Sequence, residues 1–316
     1  MQKSVILLNM GGPNNLDEVK LFLTNMFNDR NIIAAPNPIR KMIAWMITRT
    51  RLSDAQATYA ELGGKSPIIG HTERLVKALE SKIDAKVVYA MRYTPPFSTQ
   101  VLEQIKENDA IYAIPLYPHY SKTTTNSSFE DLYAEAKRLG IEDKIHTVAE
   151  YYKHPLYIDS IVARIAEALG DRDPSEYELV FSAHGLPQKI IDQGDSYQRH
   201  IRYTLHYARK ALMLKGVNFH KTHLAYQSRL GPMEWIRPYL EDKLKTLTKK
   251  KVIIFPIAFT VDNSETEYEL EIEYREIAEE MGFEEYIVAK APNDHPKFVE
   301  ALADIYLEME REVECV

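Results

Sequence analysis

Eight short runs of mostly apolar, often β-branched residues confine this chain to a narrow class of folds. They lie at residues 5–9, 86–91, 110–116, 146–150, 178–183, 223–226, 252–258 and 285–289. Between most of them lie amphipathic segments of helical length, at 101–108, 127–139, 158–168, 197–214, 235–246 and 266–281. Near-continuous apolar strands alternating with helices predict an α/β fold of parallel sheets joined by right-handed crossovers. Four strands followed by four more predict two similar halves, with a seam in residues 151–157 where Lys153-His154-Pro155 breaks the pattern. The expected domains are therefore residues 1–152 and 153–316. The first carries a long excursion between its first two strands, whose residues 28–66 form a lip. A late helix over 296–308 suits either half.

Composition excludes several functions. A net charge of −7 over 316 residues argues against nucleic acid, whose phosphate backbone calls for a basic face that such a chain could show only as a local patch. The single cysteine, Cys315, allows no internal disulfide and no four-thiolate metal site, which fits a reducing compartment. The opening apolar stretch is short and leads into Gly11-Gly12-Pro13, as a first strand and its turn would, rather than a signal peptide. No segment is long enough to span a membrane. Residues 31–51 come nearest: Met42-Ile43-Ala44-Trp45-Met46-Ile47 is flanked by Arg40, Lys41, Arg49 and Arg51. Such a segment suits a membrane interface or the lip of an apolar pocket, and equally an amphipathic helix packed on its own domain.

Polar and aromatic residues crowd the carboxyl ends of the expected strands, where an open α/β sheet builds its ligand crevice. The Gly11-Gly12 pair lacks the spacing of a dinucleotide or P-loop motif and reads as a tight turn. His184 follows a strand and precedes Gly185 and Pro187; it reads either as a core histidine satisfied by the backbone or as a proton acceptor. Glu265, Glu269 and Glu273 recur every four residues, which places them along one side of a helix. A solvated acidic face is the common meaning of that pattern. Here the stripe starts at a strand exit beside Asp262, with Tyr268, Leu270, Ile272 and Tyr274 interleaved, and it suits a path for hard or borderline divalent cations or for protons.

Taken together, these stretches resemble the ferrochelatases. The resemblance rests on Leu8-Asn9-Met10-Gly11-Gly12-Pro13, Gly63-Gly64-Lys65-Ser66-Pro67-Ile68, Arg92-Tyr93, Tyr117-Pro118-His119-Tyr120-Ser121 and Ser182-Ala183-His184-Gly185-Leu186-Pro187. It continues through Gly194-Asp195-Ser196-Tyr197, Tyr226-Gln227-Ser228-Arg229-Leu230-Gly231-Pro232 and Glu265-Thr266-Glu267-Tyr268-Glu269-Leu270. It implies two Rossmann-like domains of the chelatase type, each with a four-stranded parallel sheet flanked by helices, enclosing a porphyrin. It also implies insertion of Fe²⁺ into protoporphyrin IX to form protohaem. His184 would accept pyrrole protons, ligate the incoming metal, or both, with Glu265 beside it. Glu269 and Glu273 would continue the metal or proton path, and Met10, Arg92, Tyr93, Tyr117, Ser121 and Trp235 would contact or border the porphyrin. The lip would cover the ring and touch the membrane around Met42 to Ile47, placing a cytoplasmic enzyme at the inner membrane face.

Departures from the family pattern refine this expectation. Some relatives hold a [2Fe–2S] cluster with several cysteines near the C-terminus; Cys315 alone implies none, and no prosthetic group is expected. Met10 stands where coproporphyrin-using relatives carry tyrosine, and Phe27-Asn28-Asp29-Arg30 resembles the protoporphyrin branch. Gly185 stands where many relatives have serine. A chelatase for another divalent metal or for coproporphyrin III, and a non-catalytic tetrapyrrole carrier, remain open readings.

Overall fold

The computed structural model describes residues 2–229, 231 and 233–314, so Cys315 lies outside the described residues. The chain divides into two compact units, Met1–Glu150 with Leu302–Val316, and Tyr151–Ala301. Each contains one four-stranded, all-parallel sheet. The strands are β1 (Lys3–Asn9), β2 (Lys86–Met91), β3 (Ala110–Pro115), β4 (Ile145–Thr147), β5 (Glu178–His184), β6 (Lys221–Gln227), β7 (Lys251–Pro256) and β8 (Glu285–Val288). Their orders, β2-β1-β3-β4 and β6-β5-β7-β8, are the same topology twice. The α/β fold with two similar halves is thus as the apolar runs predict.

Burial explains why these segments are strands. In β1, residues Val5 to Leu8 are at most 2% exposed, and β7 is buried from Val252 to Pro256. A strand covered by helices on both faces needs apolar side chains at consecutive positions. In the first unit Ile6, Leu8, Ile111 and Ala113 pack with Val101, Leu102 and Ile105 of the helix Ser98–Ile105 and with Leu132 and Ala136 of Ser127–Leu139. Val180, Ala225, Val252 and Ile254 pack with Leu240, Leu244, Leu270 and Ala278 in the second. Each such aliphatic side chain contributes about 1.5–3 kcal/mol by leaving water.

The turn after β1 uses both glycines sterically. Gly11 has φ +86°, and a Cβ there would lie 2.4 Å from Thr94 Oγ1; the Gly12 amide donates to that same hydroxyl at 3.1 Å. The amide is therefore engaged by the protein rather than offered to a phosphate. The lip becomes the helix Asn37–Glu61, which buries Ala44, Thr48 and Tyr59 and leaves Met42 and Trp45 58% and 61% exposed. In the helix Pro296–Glu314, Tyr306 meets Tyr112 of β3 edge-on at 5.2 Å and Glu310 pairs with Lys3 of β1, all within the first unit.

Two of the expected helices differ in kind from expectation, and the strand expected at 146–150 is the shorter Ile145–Thr147. Residues 235–246 were expected as one helix, but the helix is confined to Leu240–Lys245. Trp235 instead bridges Pro187 antiparallel to it and Tyr239 bridges Tyr226, while Pro238 has no N–H for a helical bond. Residues 266–281 form a π-helix, Glu265–Glu273, that passes into the α-helix Tyr274–Glu280. A π-helix, Lys122–Asn126, also opens the matching β3-to-β4 connection of the first unit.

At the amino end of β5 a carboxylate is buried. Glu178 is 0% exposed and takes bonds from the Thr248 amide (2.6 Å), the Thr248 hydroxyl (2.7 Å), the Lys249 amide (2.9 Å) and His223 Nε2. Burial by itself would raise its pKa, but these donors outweigh it and hold the group at about 2. A depressed carboxylate stabilises the fold above its unfolded value, near 4.3, and that stability is lost as pH falls through the folded value. Glu178→Gln is expected to cost about 2–4 kcal/mol at neutral pH. It should also flatten the loss of stability between about pH 4.5 and 2 seen in acid titration of urea unfolding; an unchanged acid slope would refute the assignment.

Candidate active site

In the order β6-β5-β7-β8, the connection from β5 runs to β6 on one side and that from β7 runs to β8 on the other, so the switch point lies between β5 and β7. His184 is the last residue of β5, and Glu265 begins the π-helix that follows β7. Their side chains meet there, His184 Nδ1 lying 2.7 Å from Glu265 Oε2, with 32% of the imidazole and 23% of the carboxylate side chain exposed. A carboxylate on Nδ1 fixes the neutral tautomer with its proton on that nitrogen, which leaves the Nε2 lone pair for a proton or a metal.

Several local devices hold this pair. The Tyr197 hydroxyl donates to the His184 carbonyl at 2.9 Å, and Trp235 meets the imidazole edge-on at 6.3 Å. Gly185 gives its N–H to the Gln227 carbonyl at 2.8 Å, and a Cβ on it would lie 2.9 Å from that oxygen and 3.1 Å from the Trp235 ring. Glycine thus allows this close approach of strand end and indole. The Glu265 amide donates to Asn263 Oδ1 at 2.7 Å. Asp262, at the head of the acidic stripe, is 4% exposed and bonds Asn293 Nδ2 and the Ala291 amide, so it braces the loop.

The stripe continues from the pair. Glu269 Oε2 accepts from Gln227 Nε2 at 3.2 Å and from the Ser228 hydroxyl. Thr266 and Leu270 turn to the other side and are buried, the Leu270 carbonyl taking the Tyr286 hydroxyl at 3.1 Å. Glu269 and Glu273 line a cavity of about 390 Å³ together with Arg229, Tyr239, Glu241 and Asp242, room enough for a hydrated cation. Burial, reinforced by the charge of Glu265, pushes the Glu269 carboxyl up to about 7. Burial would lower His184, but the charge and hydrogen bond of Glu265 and the charge of Glu269 outweigh it and hold the imidazole above its ordinary value. A carboxylate brought up to about 7 near an imidazole whose proton affinity is also raised suits a site that handles protons.

Two of the residues singled out in the first unit, Arg92 and Tyr93, meet on a buried carboxylate that the sequence did not mark as a site residue. Asp29, with 1% of its side chain exposed, takes the Tyr93 hydroxyl at 3.0 Å, Arg92 Nη2 at 3.2 Å and the Ser127 hydroxyl. Arg92 also reaches Asp131 at 3.5 Å and lies 5.3 Å over the Tyr93 ring. Met10 accepts the Tyr93 amide at 3.0 Å. Tyr117 is half-buried, and burial pushes its phenol well up. Ser121 is 1% exposed, and its hydroxyl caps the π-helix Lys122–Asn126 by accepting from the Thr123 amide at 3.2 Å. Arg92, Tyr93 and Ser121 thus spend polar groups on the protein itself. Asp29, Gln227, Ser228, Glu241 and Asp242 join these clusters through contacts distant in sequence, although Asp29, Gln227 and Ser228 stand inside motifs already noted.

Comparison with known proteins bears directly on this arrangement. The family model described as Ferrochelatase matches residues 2–310. A ferrochelatase of Sulfurimonas denitrificans is 51% identical, covering 98% of this chain and 99% of its own length. One from a Nitratiruptor species is 49% identical, covering 97% and 100%. Among solved structures, SirB from Bacillus subtilis with Fe³⁺ aligns with a TM-score of 0.58 over 99% of this chain and 98% of its own. CbiX, described as the terminal enzyme of sirohaem biosynthesis in denitrifying bacteria, aligns at 0.52 over 96% and 97%. At 11% and 12% identity these two speak for the chelatase fold alone. The matched model and the two bacterial relatives show that the chain belongs to the ferrochelatase family, enzymes that insert a metal into a porphyrin.

Proposed function

We propose that the chain inserts Fe²⁺ into protoporphyrin IX, releasing two protons and forming protohaem. The observation that carries this reading is the His184–Glu265 pair at the β5/β7 switch point, with Glu269 and Glu273 continuing from it. Iron is the substrate, no prosthetic group takes part, and one cysteine in the sequence supplies too few thiolates for a cluster. A flat porphyrin keeps its nitrogen lone pairs in the ring plane. Binding that bends the ring exposes them, at a strain of about 1–5 kcal/mol drawn from contacts elsewhere on the macrocycle. Of the proposed porphyrin-binding positions, Met10, Arg92 and Tyr117 keep exposed surface, while Tyr93, Ser121 and Trp235, each at most 6% exposed, border the site from within the protein. Arg92 keeps 24% of its side chain exposed while Asp29 and Asp131 hold it in place.

In this mechanism His184 Nε2 takes a pyrrole proton while Glu265 stabilises the imidazolium that forms. Glu269, close to half-protonated at neutral pH, relays protons or replaces water lost by the cation, and Glu273 hands the cation inward. The assay is anaerobic insertion with protoporphyrin IX and coproporphyrin III side by side. His184→Ala should abolish turnover with porphyrin binding retained; comparable turnover in the variant, or a preference for coproporphyrin III, would overturn the reading.

A pH profile tests the proton acceptor separately. His184 must be neutral to act, so kcat/KM should rise with pH through a value above 6.5, the ordinary imidazole pKa. Glu265→Gln removes the charge that raises both His184 and Glu269, so the acid limb should move to lower pH while the maximal rate falls. A limb that stays in place would exclude these groups as its origin.

The same proposal places the protein in the cytoplasm, peripherally attached through its lip. Ile39, Met42, Trp45 and Met46 recur at helical spacing on Asn37–Glu61 and are 48–61% exposed. Arg49 lies 5.6 Å over the Trp45 ring, and Arg40, Lys41 and Arg51 flank the patch. Basic groups around an exposed apolar and aromatic face suit the headgroup region of an anionic bilayer. No helix among the described residues is long and apolar enough to cross a membrane. Met42→Glu with Trp45→Glu should cut sedimentation with phosphatidylglycerol vesicles at least about tenfold; undiminished sedimentation would sink the lip assignment.

A further inference from the structure

The corner Gln227-Ser228 at the carboxyl end of β6 has no part in the reaction as described so far, yet its geometry is unusual. Ser228 has φ +64°, a left-handed conformation that side-chain-bearing residues adopt only where the surroundings impose it. Its hydroxyl donates to Glu269 Oε2, and Gln227 Nε2 reaches the same oxygen at 3.2 Å and the Glu265 carbonyl at 3.2 Å. Gln227 is 2% exposed, and its Oε1 accepts from Ser182 Oγ at 2.6 Å, which fixes the amide's orientation. Both donors therefore fall on one carboxylate oxygen. Glu269 Oε1 takes no hydrogen bond from the described residues, in a side chain that lines the acidic cavity.

We propose that Ser228, backed by Gln227, is a positioning residue for the cation step. By occupying Oε2 it makes Glu269 a one-oxygen ligand, which meets Fe²⁺ through Oε1 and releases it toward the His184–Glu265 pair. A carboxylate free to turn can close on a cation with both oxygens and retain it. The left-handed backbone at Ser228 is what brings a short hydroxyl to this oxygen. This proposal rests on the reading of Glu269 as part of the cation path, and the test separates the two.

Ser228→Gly removes the hydroxyl while supplying the residue best suited to positive φ, so Tm should stay level or rise. Against that unchanged or greater stability, kcat for Fe²⁺ insertion should fall about tenfold, as supporting partners of metal ligands typically require. KM for Fe²⁺ should be unchanged or lower, and Kd for the porphyrin unchanged. In a Glu269→Gln background the same substitution should change kcat less than about twofold, because the partner is already altered. Wild-type kcat in Ser228→Gly, a loss that parallels a fall in Tm, or an equal loss in the Glu269→Gln background would each overturn the proposal. If Glu269→Gln alone inserts iron at the wild-type rate, the cation-path reading fails and this proposal with it. If Glu269→Gln is impaired and Ser228→Gly is not, only this proposal fails.

Discussion

A parallel strand covered on both faces can carry polar chemistry only at its ends, and that constraint organises this molecule. The interiors of β1, β3, β5 and β7 are apolar at nearly every position. The titratable groups that matter stand where these strands stop. At the amino end of β5, four donors converge on Glu178 and lock a carboxylate in its charged form. At the carboxyl end, one imidazole faces one carboxylate in partial contact with solvent. One strand thus has a locked carboxylate at one end and the imidazole–carboxylate pair at the other, with five residues of sheet between Glu178 and His184.

The two acidic groups nearest His184 are held by different partners. Glu265 is tied to His184 from the first turn of the π-helix, with its backbone held by Asn263 and Gln227. Glu269, desolvated and sharing the field of Glu265, is pushed up to about 7. Burial and the charge of a neighbouring carboxylate together bring Glu269 into the range where a glutamate can hold or give up a proton near neutral pH.

Much of this fold was legible in the sequence, because buried parallel strands and amphipathic helices leave strong periodic signals. The helices Ser127–Leu139 and Tyr197–Leu214 have the bounds their apolar spacing predicts. Spacing failed where two structures share one pattern: groups four apart lie along one side of an α-helix and of a π-helix, so Glu265–Glu273 gave no sign of its wider coil. It failed again at Trp235, whose partner Pro187 is far away in sequence. His184 and Glu265 were named from motifs, and the structure brings them within a hydrogen bond. Asp29 was visible only as part of a lip motif, since nothing local announces that Arg92 and Tyr93 converge on it.

Both third-to-fourth-strand connections open with a widened coil, but the side chains set on it differ. The first reads Lys122-Thr-Thr-Thr-Asn126 and bears no acid, while the second bears five glutamates among its nine residues. The duplicated architecture is consequently lopsided in charge. Of these two coils, only the second has an electrostatic claim on a passing divalent ion, so symmetry of the backbone does not extend to the traffic it can attract.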